Sequence, residues 1–147
     1  MAECSSDAAM SGYEGGCLCG QLRFRVTAES IDAGYCHCRM CQRNSGAPAV
    51  AWVIFPVESF RWIAGKPATY ASSARAERAF CANCGSYMVF TTQECPGEVS
   101  INTASLDDPS AFPPRMHIFA ESRIPWFRTE DALPHYRGYG PVGPPGY

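Results

Sequence analysis

A chain of 147 residues with 46% hydrophobic side chains has the length of one domain and can bury a core. Its formal net charge of −2, without any Lys/Arg block, offers no electrostatic footprint for nucleic acid. The longest apolar run, Ala47–Phe55, is far too short to span a bilayer, so no membrane partner is expected.

In chain order, residues 1–11 are small, polar and aperiodic, and are predicted to be disordered. They carry neither a basic n-region nor an apolar h-region, which points to a reducing, cytoplasmic setting rather than secretion. Gln21–Val26 alternates, with Leu22, Phe24 and Val26 on one face, and predicts a half-buried strand. A short helix is expected near Met40–Asn44. Val50–Phe55 is continuously apolar and stops at Pro56, as a strand covered on both faces would. Phe60–Ile63 and Ala68–Ala71 flank a Gly65-Lys66-Pro67 turn. Ser86–Thr91, Val99–Ala104 and Met116–Glu121 are further strand candidates. Twelve prolines and thirteen glycines favour short strands and many turns. The sum is an all-β fold of roughly eight short antiparallel strands with little helix, occupying residues 12–137. A Gly/Pro-rich tail, 138–147, is not expected to pack.

Nine cysteines is the unusual number. The odd count and the missing signal peptide argue against a disulfide framework and for thiolates that bind metal. Seven of them form three groups: Cys17-Leu18-Cys19-Gly20, Cys36-His37-Cys38-Arg39-Met40-Cys41 and Cys81-Ala82-Asn83-Cys84-Gly85. The third group is a zinc-knuckle signature, in which Gly85 is free to take positive φ. One knuckle supplies half a tetrahedral site. Cys17 and Cys19, two apart on an extended chain and set between glycines, can supply the rest. Cys17, Cys19, Cys81 and Cys84 then make a closed, structural Cys4 zinc site.

Cys36, Cys38 and Cys41 make three ligands of a second zinc. Either the fourth position is open, which marks a catalytic or ligand-binding metal, or His37, His117 or Cys95 closes it. Zinc with three thiolates carries one net negative charge, is a weak Lewis acid, and suits another sulfur ligand. Arg39 and Arg43 are candidates to offset that charge. Trp52, Trp62, Trp126, Phe55 and Phe119 serve as core or as pocket wall. His117 is read as a structural histidine or as an outer support for the ligands. Glu121 and Arg123 are candidates for an exposed ion pair. Cys4 and Cys95 fall outside the three groups, Cys95 being expected as a free thiol in a turn.

The three cysteine groups together, with Phe60–Pro67, Met116-His117-Ile118-Phe119, Pro125-Trp126-Phe127 and Leu133-Pro134, resemble the glutathione-dependent formaldehyde-activating enzyme family, which includes centromere protein V. The resemblance implies a β-tent of small antiparallel sheets with zinc knuckles. It implies a structural zinc on Cys17, Cys19, Cys81 and Cys84, and a second, catalytic zinc on Cys36, Cys38 and Cys41. The implied activity is that of a carbon–sulfur lyase acting on a thiol–aldehyde adduct such as S-hydroxymethylglutathione, with glutathione as the small-molecule partner. Two other functions compete: an interaction module with both zincs structural, and thiol redox sensing or zinc storage at the second group.

Overall fold

Ten strands and one α-helix succeed one another in the computed structural model, which describes residues 12–144. Residues 1–11, with Cys4 and the predicted disorder, and residues 145–147 lie outside the described residues. The strands are β1 (Tyr13–Gly16), β2 (Arg23–Val26), β3 (Asp32–Cys36), then, after helix α1 (Arg39–Ser45), β4 (Val50–Pro56) and β5 (Phe60–Ala64). There follow β6 (Ala68–Ser73), β7 (Ala76–Phe80), β8 (Tyr87–Thr92), β9 (Glu98–Asn102) and the two-residue β10 (His117–Ile118). The chain is all-β, as predicted, with two more strands than the pattern suggested. The sheets are uneven: β1-β2-β5 form a three-stranded sheet, and β10-β3-β4-β9-β8-β7-β6 a seven-stranded one. Every pairing is antiparallel except β10 with β3, which runs parallel.

The alternation of β2 is realised. Phe24 and Val26 are fully buried, while Arg23 and Arg25 turn outward and pair with Asp107 and Glu14. Each such apolar side chain contributes roughly 1.5–3 kcal/mol by leaving water.

Strand β4 is covered on both faces, and its two faces enter different clusters. Val53 and Phe55 join the main core with Phe24, Met88, Val99 and Ile101. Trp52 and Ile54 join a second, smaller cluster with Cys36, Met116 and Ile118. Because strand side chains alternate, one continuous apolar run serves two interiors. Gly34, opposite Trp52 on β3, makes room for this packing: a Cβ there would stand 2.6 Å from Trp52 Cζ2 and 2.8 Å from the Met116 carbonyl oxygen.

Three segments differ from the sequence expectation. Met116–Glu121 yields only the two residues of β10, because Phe119 turns to φ 51° and a 3-10 turn follows at Ala120–Ser122. Glu121 pairs with Arg137 at 3.1 Å, not with Arg123. The described part of the Gly/Pro-rich tail also packs. The Tyr139 ring meets Phe119 edge-on at 4.9 Å, Val142 rests on the second cluster, and Phe119 N–H donates to the Gly138 carbonyl at 3.0 Å. The apolar side chains within that segment outweigh its glycines and prolines.

No helix among the described residues is long and apolar enough to cross a membrane.

Candidate functional site

The first and third cysteine groups meet. The four Sγ atoms of Cys17, Cys19, Cys81 and Cys84 lie within 4.8 Å of one another. Cys17 Sγ is 3.5 Å from Cys19 Sγ, and Cys19 Sγ is 3.7 Å from Cys81 Sγ. A tetrahedral zinc with sulfur ligands at ~2.3 Å needs sulfur–sulfur edges of about 3.8 Å, so the donor set and its spacing fit the metal. Gly85, at φ 78°, closes the knuckle and donates its N–H to the Cys81 carbonyl at 2.8 Å. Backbone donors face the sulfurs as well: Leu22 N–H reaches Cys17 Sγ at 3.2 Å. Hydrogen bonds from Ser86 hold the Cys84 thiol down at about 5, which favours the thiolate a metal binds. Cys17–Gly20 is a turn rather than the extended segment the i,i+2 spacing suggested, closed by Gly20 N–H to the Cys17 carbonyl at 3.1 Å.

The second group gathers where β3 runs into α1. Cys36 ends β3 and Cys38 is the N-cap of α1, its Sγ accepting from Cys41 N–H at 3.3 Å. The helix, predicted within a residue at each end, stops at Gly46 in the left-handed conformation. The Sγ atoms of Cys36, Cys38 and Cys41 lie within 4.8 Å of one another, and no fourth His, Cys, Asp or Glu ligand atom among the described residues joins them. The neighbouring Cys36 and Cys41 thiols hold the Cys38 thiol well below its ordinary value, and Cys38 in turn moves Cys36 up. Three cysteine sulfurs gathered in this way suit a soft divalent cation. All eight described cysteines are free of disulfides.

The cation beside this triad is Arg78, which the sequence reading passed over. It sits on β7, is 5% exposed, and brings Nη1 and Nη2 each to 3.9 Å from Cys41 Sγ. Its Nη1 donates to the Tyr87 hydroxyl at 2.8 Å, and the guanidinium lies over Phe90, 5.1 Å from the ring centroid. Arg39 and Arg43 are exposed instead, and Arg39 bonds to Gln42 on its own helix. Burial pushes the Tyr87 hydroxyl above its ordinary value, so it keeps its proton. We expect Arg78→Met to weaken zinc retention at the triad by about 10–100-fold, as losses behind a metal's ligands typically do. Competition with a chromophoric chelator measures this, and unchanged retention would remove Arg78 from the site.

The proposed fourth ligands lie elsewhere. His37, fully buried, points its Nε2 at His117 Nδ1, 2.8 Å away, and burial lowers it to about 4. His117 is the satisfied histidine expected, its Nε2 being 3.1 Å from an Asp131 carboxylate oxygen. With His135 these residues gather three ligand atoms within 4.8 Å. The His117 and His135 rings stack at 4.4 Å with 24° between planes, and His117 Nε2 already has the Asp131 carboxylate as its partner at 3.1 Å. Gln42 ties this buried region to the helix, its Nε2 donating to the His37 carbonyl at 2.8 Å.

A cavity of about 610 Å³ opens beside Cys36, Cys38 and Cys41, within the range of small-molecule sites. Arg78, Tyr87 and Cys95 also line it. Of the five aromatics proposed as pocket wall, Trp52 and Phe119 line it; Phe55 and Trp62 pack with the main core, and Trp126 is 73% exposed.

The chain is similar to known proteins over most of its length. A protein of Halomonas elongata, provisionally named a glutathione-dependent formaldehyde-activating enzyme, is 26% identical over 126 residues, 80% of each chain. An uncharacterised lyase of Schizosaccharomyces pombe is 37% identical over 83 residues, 55% of this chain. The match spans 58% of that relative's length. A crystal structure of a Rhodobacter sphaeroides protein superposes with a TM-score of 0.56 at 25% identity, covering 67% of this chain and 93% of that one. The family model for glutathione-dependent formaldehyde-activating enzymes matches residues 12–122. That span holds all seven clustered cysteines, and the chain belongs to the glutathione-dependent formaldehyde-activating enzyme family.

Proposed function

We infer that this protein is a carbon–sulfur lyase that makes or breaks a thiol–aldehyde adduct at the Cys36–Cys38–Cys41 centre, with glutathione as the leading thiol. The observation that carries this reading is a three-sulfur cluster facing a ligand-sized cavity, with a buried arginine beside it. Family membership and the lyase-named relative support it.

The two cysteine clusters have different roles in this reading. Cys17, Cys19, Cys81 and Cys84 hold a structural ion that ties the start of β2 to the β7–β8 turn. Cys36, Cys38 and Cys41 hold the second. Zinc bound there would supply a soft position that lowers the pKa of a substrate thiol. Arg78 offsets the negative charge gathered on the sulfurs. Tyr87, protonated and accepting from Arg78, has its own proton to donate to the adduct oxygen. The walls position thiol and aldehyde for attack, which is the larger part of the catalysis in such an addition. The protein operates in a reducing, cytoplasmic setting, where the thiolates persist.

The test is direct. The zinc-loaded full chain should accelerate formation of S-hydroxymethylglutathione from glutathione and formaldehyde above the spontaneous rate, followed by exchange NMR. If that adduct and those of larger aldehydes all form only at the buffer rate, the lyase reading falls.

A further inference from the structure

The cavity's walls are more apolar than a formaldehyde adduct of glutathione requires. Val50, Trp52 and Ile54 from β4 form one side, and Phe90 from β8 another. Phe119, Tyr139 and Val142 close the third. Charged lining is confined to Arg75, Arg78, Glu94 and Glu98, and Arg78 is already committed to Cys41 and Tyr87. A formaldehyde-derived carbon is about the size of a water molecule, which takes ~30 Å³ in the liquid. It would leave these walls facing solvent or the peptide's carboxylates, and carboxylates without partners are costly to desolvate.

Three further observations point to a bulky occupant. Phe119 has φ 51°, the only positive φ at a non-glycine among the described residues. For an aromatic residue this is strained, and such strain persists where the surroundings enforce it and clusters at ligand sites. Here its backbone is held to Gly138 and its ring against Tyr139. Second, the rings of Trp52, Phe90 and Phe119 all line the cavity, an apolar aromatic surface suited to an aromatic or branched group. Third, Tyr139 and Val142, which complete the wall begun by Phe119, lie beyond the matched residues 12–122, so that part of the wall is outside the matched family region.

We propose that this cavity selects thiol adducts whose aldehyde-derived part is a sizeable apolar group, aromatic or branched aliphatic, seated between Trp52, Phe90 and Phe119. The inference rests on the lyase reading and narrows its substrate class. In the breakdown direction the adduct's C–S bond breaks, its electron pair stays with sulfur, the hydroxyl oxygen becomes the carbonyl, and the hydroxyl proton is released. The reverse joins aldehyde and thiol. No oxidant or reductant is needed.

Two measurements on the zinc-loaded full chain test this. The adducts of glutathione with formaldehyde and with phenylacetaldehyde are compared as kcat/KM above the spontaneous rate. The unreactive thioethers S-methylglutathione and S-benzylglutathione are compared by calorimetric titration. The phenyl-bearing member should be favoured by about tenfold or more in both, the gain from burying a Phe-sized group. In Phe119→Gly, which relieves the backbone strain while removing the ring, the preference should fall several-fold. Turnover of the formaldehyde adduct with equal or greater efficiency overturns the inference and leaves the lyase reading standing. Acceleration of neither adduct overturns both. A preference that survives Phe119→Gly unchanged overturns the assigned wall.

Discussion

Replacing Cys81 with serine should cost the protein one zinc and its cooperative fold. Cys81 is 2% exposed and Cys17 8%, and both belong to the main core as well as to the four-sulfur cluster. Cys17 follows β1 in the three-stranded sheet, while Cys81 follows β7 in the seven-stranded one, so an ion shared between them fastens the two sheets. Structural zinc sites bind with ~10–16 kcal/mol of apparent free energy, against about 5–15 kcal/mol for the net stability of a domain. Loss of this ion therefore rivals the whole of the folding free energy. Metal analysis together with thermal unfolding followed by circular dichroism measures the result. A Cys81→Ser protein that keeps its full zinc content, or melts within a few degrees of the parent, would show that the cluster is not a structural metal site.

Cys38→Ser should behave in the opposite way, sparing the fold and removing the chemistry. Serine is a good N-cap, so its oxygen can replace Cys38 Sγ as acceptor for the Cys41 N–H and keep α1 started. It cannot replace the thiolate, because a hydroxyl stays protonated where the Cys38 thiol is held low. The second zinc should be lost and adduct formation should fall by about 10³-fold, the several kcal/mol a metal supplies. The midpoint of thermal unfolding should move little. Retained turnover in a variant lacking the second zinc would detach the activity from the triad.

The parts of the fold legible in the sequence were those whose pattern is local. Strand β2 shows in the alternation of Leu22, Phe24 and Val26, β4 in its unbroken apolar run, and the sulfur clusters in their spacing. The missed strands lack such a signal. β3 reads Asp-Ala-Gly-Tyr-Cys because its small residues yield space to Trp52 and Met116, a demand that exists only after folding. β7 reads Ala-Glu-Arg-Ala-Phe, whose Glu, Arg and Ala have poor strand propensity. Arg78 was hidden for the same reason. Arg39 and Arg43 stand beside the triad in sequence, yet helix geometry turns them to solvent, while Arg78 arrives from another strand. No local signal marked it: Arg78 lies three residues before Cys81, where β7 hands over to the knuckle, but the register shifts between Ala79 and Phe80, so alternation counted back from the knuckle does not give the face of Arg78.

The division of β4 between two interiors has a consequence for how this protein can diverge. Positions 53 and 55 answer to the scaffold, while 52 and 54 answer to whatever occupies the cavity. Neighbouring residues of one strand thus carry separate obligations. Exchanges at the even positions act on the second cluster and the cavity while leaving the main core untouched, whereas a shift of one residue along the strand would exchange the two sets and forfeit both.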